Sequence, residues 1–387
     1  MDDTPLPPPP GARPRILYFV AEDWFFRSHF LDLARAARDS GFEVALATRP
    51  SAHWAALEAE GFSLHAVPLR RRSLDPVQLA GAVARLTRIV RRVAPDIVHN
   101  VALKPILVGS AAARLAGCGR VVNAVTGLGH LFIDEGRATR AVRGAVSLAL
   151  RAALNGSGTV TVVENDDDSR LIAGLAPAAA GRITVVPGAG VDLAHFSRLP
   201  EPAPPFTVAC AARMLETKGI GMLVDAVRIA RAGGGDIRLV LAGTPDPGNP
   251  ASIPETRLRA WSAEDGITWR GHVEDVREVW ARAHVAVLAS EREGLPKALI
   301  EAAACGRALI ATDVPGCRAI VRDGETGLLV PPGDAAALAA AISRLAGNAA
   351  LRARLGAGAR ALVEAEMGAE RVNALYLDLY RAALTRP

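Results

Sequence analysis

The sequence predicts an α/β protein with two doubly wound domains, and three observations lead to this prediction. From Arg15 onward, short apolar or β-branched runs alternate with longer amphipathic segments, which is typical of βαβ units on a mostly parallel sheet. The alternation stops at residues 199–205, where four of seven residues are proline, and resumes at Phe206. A chain of 387 residues with 50% hydrophobic content is also long enough for two or three domains.

The first half of the chain is expected to form seven strands and five helices. Each expected strand is a short run of apolar or β-branched residues, and each expected helix is a longer segment with apolar residues at helical spacing. The strands are expected at residues 16–21, 43–48, 63–68, 96–101, 121–125, 159–163 and 183–186. The helices are expected at residues 28–40, 76–93, 106–116, 139–154 and 167–175.

The second half repeats the pattern after the proline-rich stretch. Strands are expected at residues 206–211, 238–242, 268–270, 285–289 and 308–312, with helices starting at Lys218, Pro254, Val276, Pro296 and Asp334. We therefore expect a disordered, proline-rich tail at residues 1–14, a first domain at 15–198 and a second domain at 199–367. The last segment, residues 368–387, is expected to form a helix that packs back on the first domain.

Cysteine usage and hydropathy exclude several classes of protein. The four cysteines, Cys118, Cys210, Cys305 and Cys317, form no CxxC pair and have no partnering histidine cluster, which argues against a disulfide scaffold or a zinc site. They are typical of reduced core thiols in a cytosolic protein. The N-terminal stretch has no basic-then-apolar signal pattern, and no apolar run approaches the roughly 18 residues that span a bilayer. Neither export nor membrane insertion is expected.

The basic residues are unevenly distributed. A net charge of +5 is too weak to indicate nucleic acid, but residues 70–151 hold fourteen basic and four acidic residues. Within this block, residues 79–93 and 137–154 combine arginines and apolar residues at helical spacing. Such helices are consistent either with the solvated faces of core-packed helices or with attachment to anionic lipid. Only three of the 45 basic residues are lysines, namely Lys104, Lys218 and Lys297.

The turn after the first strand argues against a dinucleotide cofactor. A Rossmann fingerprint places glycines directly after that strand, so that the backbone approaches pyrophosphate. Residues 21–27 contain no glycine and carry two acids, Glu22 and Asp23. The pair Gly127 and Gly129 is a lone GxG and a weak signal. Ligands of open α/β sheets bind at the carboxyl ends of the strands, so two facing sheets would place a ligand cleft between the domains.

The strongest motif occupies residues 289–302. It leaves an apolar strand, passes a glycine turn and enters a helix, and Pro296 suits the first helical turn. Free N–H groups at that helix start, together with the helix dipole, favour an anion. Glu293 lies in the turn, and Glu301 lies about two helical turns further on. This spacing suits one acid on the sugar and one on the ribose of a sugar nucleotide.

A second cationic element lies at residues 212–219, where the first strand of the second domain meets its helix. Arg213 and Lys218 together could neutralise a diphosphate without a metal, and the chain shows no DxD-type turn in a suitable loop. The acidic run at residues 166–168 is better explained as a solvated helix start, where negative charge suits the dipole. His99, at a strand end, is expected to be a core histidine.

Together these motifs resemble those of the retaining glycosyltransferases of family 4, which have the GT-B fold. The resemblance rests on Arg213 with Lys218, on Glu293 and Glu301, and on residues 185–192 and 271–272. Residues 72–76, 104–110 and 126–129 further resemble enzymes that extend undecaprenyl-diphosphate-linked oligosaccharides, such as N-acetylgalactosaminyltransferases. Two departures stand out: the first loop lacks glycine, and Thr126 stands where many members have a histidine that acts near the acceptor.

The resemblance implies roles for particular residues. It implies two Rossmann-like domains that face a central cleft, with the acceptor on the first domain and the donor on the second. The implied catalytic residues are Arg213, Lys218 and Glu293. The implied donor-binding residues are Glu301, Gly294, Leu295, Pro296, Lys297, Gly243 and His272. The implied acceptor-side residues are Glu22, Asp23, Arg27, Lys104, Thr126 and Gly127.

The implied activity is the retaining transfer of an N-acetylhexosamine or hexose from a UDP-sugar to a lipid-linked saccharide, with neither a metal nor a cofactor. Such an enzyme would work in the cytoplasm, at the anionic inner face of the cell membrane, and would not bind nucleic acid. The alternative is a protein with the same fold that binds sugar nucleotides, or acts like an epimerase, without glycosylating an acceptor.

Overall fold

The protein forms two compact units in a computed structural model that describes residues 13–69, 75–127 and 137–385. The first unit runs to Ala189 and also includes the chain from Val372 onward. The second unit comprises Gly190 to Arg371. Of the tail expected at residues 1–14, residues 1–12 lie outside the described residues.

The first unit is built on a seven-stranded parallel sheet with the order β3-β2-β1-β4-β5-β6-β7. The strands are β1 (Arg15–Glu22), β2 (Glu43–Arg49), β3 (Ser63–Ala66), β4 (Ile97–Val101), β5 (Val121–Val125), β6 (Thr159–Val163) and β7 (Ile183–Val185). All seven expected strands are present. The order reverses between β1 and β4, and ligands of doubly wound sheets bind at such a switch point.

The helices of the first unit pack on the two faces of this sheet. They are α1 (Asp23–His29), α2 (Leu31–Asp39), α3 (Trp54–Glu58), α4 (Pro76–Val93), α5 (Leu103–Ala116), α6 (Arg137–Leu154) and α7 (Asp166–Leu175). The sequence predicted a loop followed by a helix at residues 28–40. This prediction was wrong at the start of the helix. Helix α1 begins directly after β1, and Phe26 points into the core. The helix start expected at residues 166–168 is confirmed, since Asn165 caps α7 ahead of the three aspartates. It is solvated only in part, because Asp168 is buried and accepts a hydrogen bond from the Asn165 side-chain amide over 3.0 Å.

The second unit holds a six-stranded parallel sheet with the order β10-β9-β8-β11-β12-β13. The strands are β8 (Phe206–Ala211), β9 (Ile237–Ala242), β10 (Ile267–Trp269), β11 (Val285–Leu288), β12 (Ala308–Thr312) and β13 (Gly327–Val330). Strand β13, which has four residues and starts with glycine, was not predicted from the sequence. Gly327 is required there, because a Cβ atom would lie 2.4 Å from the carbonyl oxygen of Leu309.

Eight helices complete the described architecture. They are α8 (Ile220–Ala232), α9 (Glu255–Ser262), α10 (Arg277–Trp280), α11 (Lys297–Ala304), α12 (Pro315–Arg318), α13 (Ala335–Ala346), α14 (Ala349–Glu366) and α15 (Ala369–Thr385). Helices α12 and α14 were not predicted from the sequence. Two glycines interrupt the helical pattern of α14, because its backbone passes too close to its neighbours for a side chain. A Cβ on Gly356 would lie 2.3 Å from the carbonyl oxygen of Gly306.

The proline-rich stretch is anchored on the second unit. The N–H of Leu199 donates to the carbonyl of Cys305 over 3.1 Å, and the Arg307 guanidinium donates to the carbonyl of Pro200 over 2.7 Å. The buried guanidinium of Arg352 forms an ion pair with Glu201 over 2.5 Å. These contacts hold the proline-rich stretch on the second unit, which begins at Gly190.

The end of α15 packs in the core of the first unit through an aromatic cluster. The hydroxyl group of Tyr380 lies 3.1 Å from that of Tyr18 and 2.7 Å from Nδ1 of His99, while Tyr376 packs beside the same imidazole. His99 is fully buried, which confirms the expected core position. Burial lowers the pKa of His99 to about 3, so the imidazole is neutral in the folded protein.

This buried histidine is expected to destabilise the protein in mild acid. In the unfolded chain His99 takes up a proton below its ordinary pKa of 6.5, whereas in the folded chain it does so only near 3. Stability therefore falls as pH drops through this window, by about 1.4 kcal/mol per pH unit from this group. In urea titrations between about pH 6 and about pH 4, His99→Phe should show a shallower decline than wild type. Equal slopes would contradict the assignment.

Candidate active site

The two motifs of the second unit come together at the carboxyl ends of adjacent strands. Arg213 follows β8 by two residues, and Glu293 follows β11 by five. Strands β8 and β11 are paired, with Val208 opposite Val285, and the strand order reverses between them. The switch point of this sheet, where ligands of such folds bind, is therefore lined by the residues predicted to be catalytic.

A glycine lets the Lys218 segment approach the end of β11. A short 3₁₀ helix at Glu216–Lys218 is followed by Gly219, whose φ of +66° is in the left-handed region. A Cβ at this position would lie 2.0 Å from the carbonyl oxygen of Ala289. The N–H of Glu291 also donates to the carbonyl of Thr217 over 3.1 Å. The β8 motif is thus held against the β11 motif by backbone contacts.

Lys218 and Glu293 form a partly buried ion pair. The Nζ atom of Lys218 lies 2.5 Å from Oε1 of Glu293, and the two side chains are 20% and 9% exposed. The same Oε1 accepts a hydrogen bond from the hydroxyl of Ser290 over 2.6 Å. The carbonyl of Ser290 in turn accepts from the Thr312 hydroxyl over 2.5 Å. Charge-assisted bonds of this kind fix both side chains in one arrangement.

Helix α12 supports the turn that carries Glu293. A Cβ on Gly316 would lie 2.1 Å from the carbonyl oxygen of Gly294 and 2.6 Å from that of Glu293. Any side chain at position 316 would therefore displace the turn. The sequence analysis missed Gly316, since one glycine beside a proline resembles an ordinary turn. The predicted donor-binding residues continue from this turn, with Leu295 packed against the core, Pro296 at the helix cap and Lys297 as the first residue of α11.

Arg213 is also paired in this structure. Its Nη1 atom lies 2.9 Å from Oδ2 of Asp246, and both side chains are partly exposed. Asp246 belongs to the loop after β9, and its N–H donates to the hydroxyl of Ser252 over 2.9 Å. Asp246 was not predicted as a site residue, because the surrounding Pro-Asp-Pro-Gly-Asn-Pro stretch is typical of a turn. A diphosphate that binds Arg213 must therefore compete with this carboxylate.

Gly243 joins three strand ends of the same sheet. Its φ is +131°, and a Cβ would lie 1.9 Å from the carbonyl oxygen of Ala212. Its N–H donates to the carbonyl of Gly271 over 2.7 Å, and its own carbonyl accepts from the Trp269 indole over 2.8 Å. His272 follows Gly271 and is exposed at this edge. Gly243 and His272 thus lie at the carboxyl ends of β9 and β10, beside those of β8 and β11.

Glu301 lies one helical turn from Lys297 on α11. The Nζ atom of Lys297 is 3.7 Å from Oε1 of Glu301, whose side chain is 12% exposed. Burial raises the pKa of Glu301 to about 7, against the opposing effect of Lys297, and the carboxylate of Asp275 adds to the rise. The carboxyl group of Glu301 therefore changes its charge near neutral pH. Such a shift is typical of functional carboxyl groups.

Asp275 belongs to a charged cluster beside Glu301 that the sequence analysis missed. The guanidinium of Arg277 donates to Oδ2 of Asp275 over 2.9 and 2.7 Å and to the carbonyl of His195 over 2.8 Å. These hydrogen bonds from Arg277 hold the pKa of Asp275 below its usual value. Asp275 is therefore ionised next to Glu301, and its negative charge disfavours ionisation of the Glu301 carboxyl group.

Two predicted acceptor-side residues of the first unit are buried rather than open. Glu22 is the last residue of β1, and its carboxylate pairs with Arg49 over 2.5 Å. Asp23 is fully buried, and its carboxylate accepts from the N–H of Ser51 over 2.6 Å and from the Ser51 hydroxyl over 2.5 Å. The prediction that they face an acceptor differs from this geometry. The reason is that β1 runs directly into α1 without the expected loop.

The other acceptor-side residues lie closer to solvent. Arg27 is exposed on α1, with Nη1 3.4 Å from Nδ1 of His53. Lys104 lies at the start of α5, after β4, and burial lowers its pKa. Thr126 and Gly127 follow β5, the strand next to β4, and Gly127 has a φ of +94°. Of the resembling segment 72–76, residues 72–74 lie outside the described residues.

The described part of the chain contains neither a cluster of metal-ligating side chains nor a helix that could span a membrane. Across residues 13–69, 75–127 and 137–385, no group of three or more His, Cys, Asp or Glu side chains is arranged to hold a metal ion. In the same ranges, no helix combines the length and apolar character needed to cross a membrane. The four cysteines are free thiols, and three of them are buried.

Both halves of the chain match glycosyltransferase family models. Residues 15–163 match the family described as glycosyl transferase 4-like, and residues 205–348 match the family described as glycosyl transferases group 1. The first match covers β1 to β6 of the first unit, and the second covers β8 to β13 of the second unit. Each of the two units is therefore similar to a glycosyltransferase domain.

Named relatives agree with this class. The chain is 28% identical to the Bacillus subtilis protein named as glycosyltransferase EpsD, over 88% of this chain and 90% of the relative. It is 23% identical to N,N'-diacetylbacillosaminyl-diphospho-undecaprenol alpha-1,3-N-acetylgalactosaminyltransferase of Campylobacter jejuni, over 84% and 88% of the two chains. The match to the capsular polysaccharide biosynthesis glycosyltransferase CapM of Staphylococcus aureus is 30% identical but spans only 41% of each chain.

Solved structures show the same architecture. Sucrose-phosphate synthase of Thermosynechococcus elongatus superposes with a TM-score of 0.78 at 22% identity, over 96% of this chain and 99% of that chain. Anabaena HepE in complex with UDP and glucose superposes with a TM-score of 0.77 at 18% identity, over 95% and 99% of the two chains. The predicted fold class is thereby confirmed: two parallel-sheet α/β domains of the GT-B type.

Proposed function

We propose that this protein transfers a sugar from a nucleotide-sugar donor to a lipid-linked saccharide during the assembly of a bacterial polysaccharide or glycan. The observation that carries the proposal is the Lys218–Glu293 ion pair, which lies beside Arg213 at the switch point of the second sheet. The Staphylococcus aureus relative is named for capsular polysaccharide biosynthesis, which supports the polysaccharide context. HepE, which is similar in fold, has been solved with UDP and glucose, and this supports a UDP-sugar donor.

The two cations are assigned to the leaving group. As the bond from sugar to phosphate breaks, negative charge builds up on the diphosphate, and a preorganised cation stabilises that charge most in a poorly solvated site. Lys218 is preorganised by Glu293 and by the backbone contacts of Gly219. Arg213 supplies a planar fork that suits two phosphate oxygens once it leaves Asp246. Such a site works without a metal, which is part of the proposal.

Glu293 is assigned to the reacting sugar. Lys218 and Ser290 both contact its Oε1 atom, so we assign Oε2 to the sugar hydroxyls. Because the carboxylate of Glu293 then contacts both the sugar and Lys218, it fixes the sugar relative to the cation that faces the diphosphate. We propose transfer with retention and either an N-acetylhexosamine or a hexose as the sugar, as the family resemblance implies.

Glu301 is assigned to the ribose of the donor, and this predicts that donor affinity depends on pH. An ionised carboxylate accepts hydrogen bonds from ribose hydroxyls, whereas the protonated form accepts fewer. Because the pKa of Glu301 is about 7, the affinity for UDP-glucose should fall as pH drops from about 8 to about 6, by up to about tenfold per unit below the pKa. The diphosphate diester of UDP-glucose does not titrate in this range. Calorimetric titration at several pH values measures the effect.

Glu301→Gln provides the control for this experiment. The amide has the shape of the carboxyl group but carries no titrating proton. Its binding to UDP-glucose should be weaker than that of wild type above about pH 7 and nearly independent of pH. A wild-type pH dependence that persists unchanged in Glu301→Gln would remove Glu301 from the ribose site.

The acceptor is proposed to be a saccharide on undecaprenyl diphosphate, and the protein is proposed to work at the inner face of the cell membrane. The relative from Campylobacter jejuni is named for a diphospho-undecaprenol substrate, which supports the acceptor class. The basic block at residues 70–151 supports attachment to anionic lipid, because each cation near such a surface contributes about 1 kcal/mol. Helix α6 within this block is amphipathic.

A donor-consumption experiment tests the function. UDP-sugars are incubated with the protein, with and without undecaprenyl-diphosphate saccharide, and both UDP and glycosylated lipid are measured. The proposal expects UDP release and lipid product only when the acceptor is present, with EDTA in the buffer. UDP release or sugar isomerisation without any acceptor would favour the epimerase-like alternative. Activity that is lost in EDTA and restored by magnesium would contradict transfer without a metal.

A further inference from the structure

We infer that Asp246 competes reversibly with the donor diphosphate for Arg213, and that this competition helps the nucleoside diphosphate product to leave. The inference rests on the proposed function, which places the diphosphate on Arg213 and Lys218. It adds a residue on the loop that follows β9. Asp246 acts through Arg213 without touching the donor, and it is therefore a positioning residue.

The loop that follows β9, residues 244–252, is anchored at both ends on the segment that follows β8. At its start, the carbonyl of Thr244 accepts a hydrogen bond from the N–H of Met214 over 3.0 Å. At its end, the carbonyl of Ala251 accepts one from the N–H of Glu216 over 2.8 Å. Neither bond involves a side chain, so the loop keeps its place whether or not the arginine of the β8 segment is paired.

The backbone around Asp246 is constrained. Pro245, directly before it, has a fixed φ, and Pro247, directly after it, favours an extended conformation of Asp246. The N–H of Asp246 donates to the hydroxyl of Ser252 over 2.9 Å, and its carbonyl accepts from the N–H of Asn249 over 2.6 Å. Because the loop is already ordered, its carboxylate pairs with a guanidinium at little further cost in conformational entropy.

The two ion pairs of the donor site differ in how easily they open. Lys218 and Glu293 are 20% and 9% exposed, and Ser290 holds the same carboxylate. Arg213 and Asp246 are 38% and 26% exposed. Breaking the first pair would leave a nearly buried carboxylate without its partner, which is costly. Breaking the second pair releases a carboxylate that water can solvate, so an incoming anion displaces Asp246 and leaves Glu293 in place.

Electrostatics favours displacement over a shared arrangement. The charges within each of the two pairs cancel in the free protein. If Asp246 stayed on the guanidinium of Arg213, its carboxylate and a phosphate on the same group would lie close together and repel each other. Displacement avoids this repulsion. After transfer, the same carboxylate takes Arg213 back, and this compensates the arginine for the phosphate that departs.

Calorimetric titration of UDP into the full-length protein tests the competition. Asp246→Asn removes the charge and keeps the backbone contacts of the loop, so UDP should bind about two- to fivefold more tightly, the range that a partly exposed ion pair supplies. A fluorescent UDP derivative, chased with excess UDP in a stopped-flow experiment, should leave the variant more slowly than wild type. Uridine, which carries no phosphate, should bind both proteins equally. Asp246→Ala is a second variant that should also tighten UDP binding.

Two further variants separate competition from general repulsion. Glu216→Gln removes the same charge from the neighbouring segment, where Glu216 pairs with Arg257, and leaves the pair of Arg213 with Asp246 intact. Its affinity for UDP should stay close to that of wild type. In an Arg213→Gln background, Asp246→Asn should no longer tighten UDP binding, because Asp246 acts only through the arginine.

The results that would overturn the inference are distinct. Unchanged or weaker UDP binding by Asp246→Asn would mean that Asp246 does not compete with the diphosphate. Equal tightening with and without Arg213, or an equal gain in Glu216→Gln, would mean that these carboxylates merely repel the diphosphate. Each of these results leaves the proposed function untouched. Wild-type protein that binds no UDP would instead overturn the proposed UDP donor and the inference together.

Discussion

Replacing Lys218 with alanine is expected to reduce turnover by about 3 to 4 kcal/mol of transition-state stabilisation, which corresponds to a factor of about a hundred to a thousand in kcat. The substitution removes a cation from beneath the proposed leaving group. It also leaves the carboxylate of Glu293, 9% exposed, without its partner, so both the charge and the geometry of the site change. Steady-state kinetics with a UDP-sugar and a lipid-linked acceptor measure the effect.

Arg213→Ala should have a smaller effect than Lys218→Ala, because Arg213 is more exposed and its partner Asp246 can be solvated after the substitution. Arg257→Ala is the matched control. Arg257 pairs with Glu216 over 2.5 Å in the same unit, but both side chains are about half exposed, and such pairs contribute about 0 to 1 kcal/mol. If Lys218→Ala retained a third or more of the wild-type turnover, Lys218 would not act on the leaving group.

The fold was predicted accurately where the hydrophobic periodicity is strong. It was predicted poorly where tertiary packing requires residues, such as glycine, that disturb this periodicity. Five of the seven strands of the first unit, β1, β2, β4, β5 and β6, are largely buried runs of mostly apolar or β-branched residues, which a sequence pattern reveals well. Helix α14 was missed because its glycines lower helix propensity, and only the neighbouring carbonyl of Gly306 explains why Gly356 is there. Strand β13 was missed for the same reason, since Gly327 is required by its pairing with β12.

The candidate site was predicted residue by residue, but its pairings were not. Lys218 and Glu293 were assigned separately to the diphosphate and the sugar, although the structure joins them in one ion pair. They are 75 positions apart, so the contact depends on β8 and β11 being neighbours. Asp246 was missed because nothing in a turn sequence indicates that its side chain faces Arg213.

The acids after β1 were assigned by resemblance alone. The resemblance to the family 4 glycosyltransferases implied that Glu22 and Asp23 lie on the acceptor side. The structure instead satisfies them internally, through Arg49 and Ser51. Whether such an acid is free depends on where the next helix begins. Here α1 begins at Asp23, and no loop remains to expose either carboxylate.

Glu293→Gln should chiefly lower kcat, whereas Glu301→Ala should chiefly weaken nucleotide binding, because only Glu293 is assigned to the reacting sugar. The glutamine keeps the shape of the side chain but loses the negative charge that holds Lys218 under the diphosphate. We expect kcat to fall by about a hundredfold or more, and the affinity for UDP to change by less than about fivefold. Turnover and calorimetric UDP binding are measured on the same preparation.

Ser290→Ala separates charge from geometry in this experiment. The Ser290 hydroxyl donates to the same Oε1 atom as Lys218, so its removal loosens Glu293 without changing any charge. If Glu293 acts by its charge, Ser290→Ala should reduce kcat by only about tenfold, well short of Glu293→Gln. Thermal melts of both variants show whether either one loses the fold. Equal losses of UDP affinity in Glu293→Gln and Glu301→Ala would instead place both acids on the nucleotide, and the sugar would then need another partner.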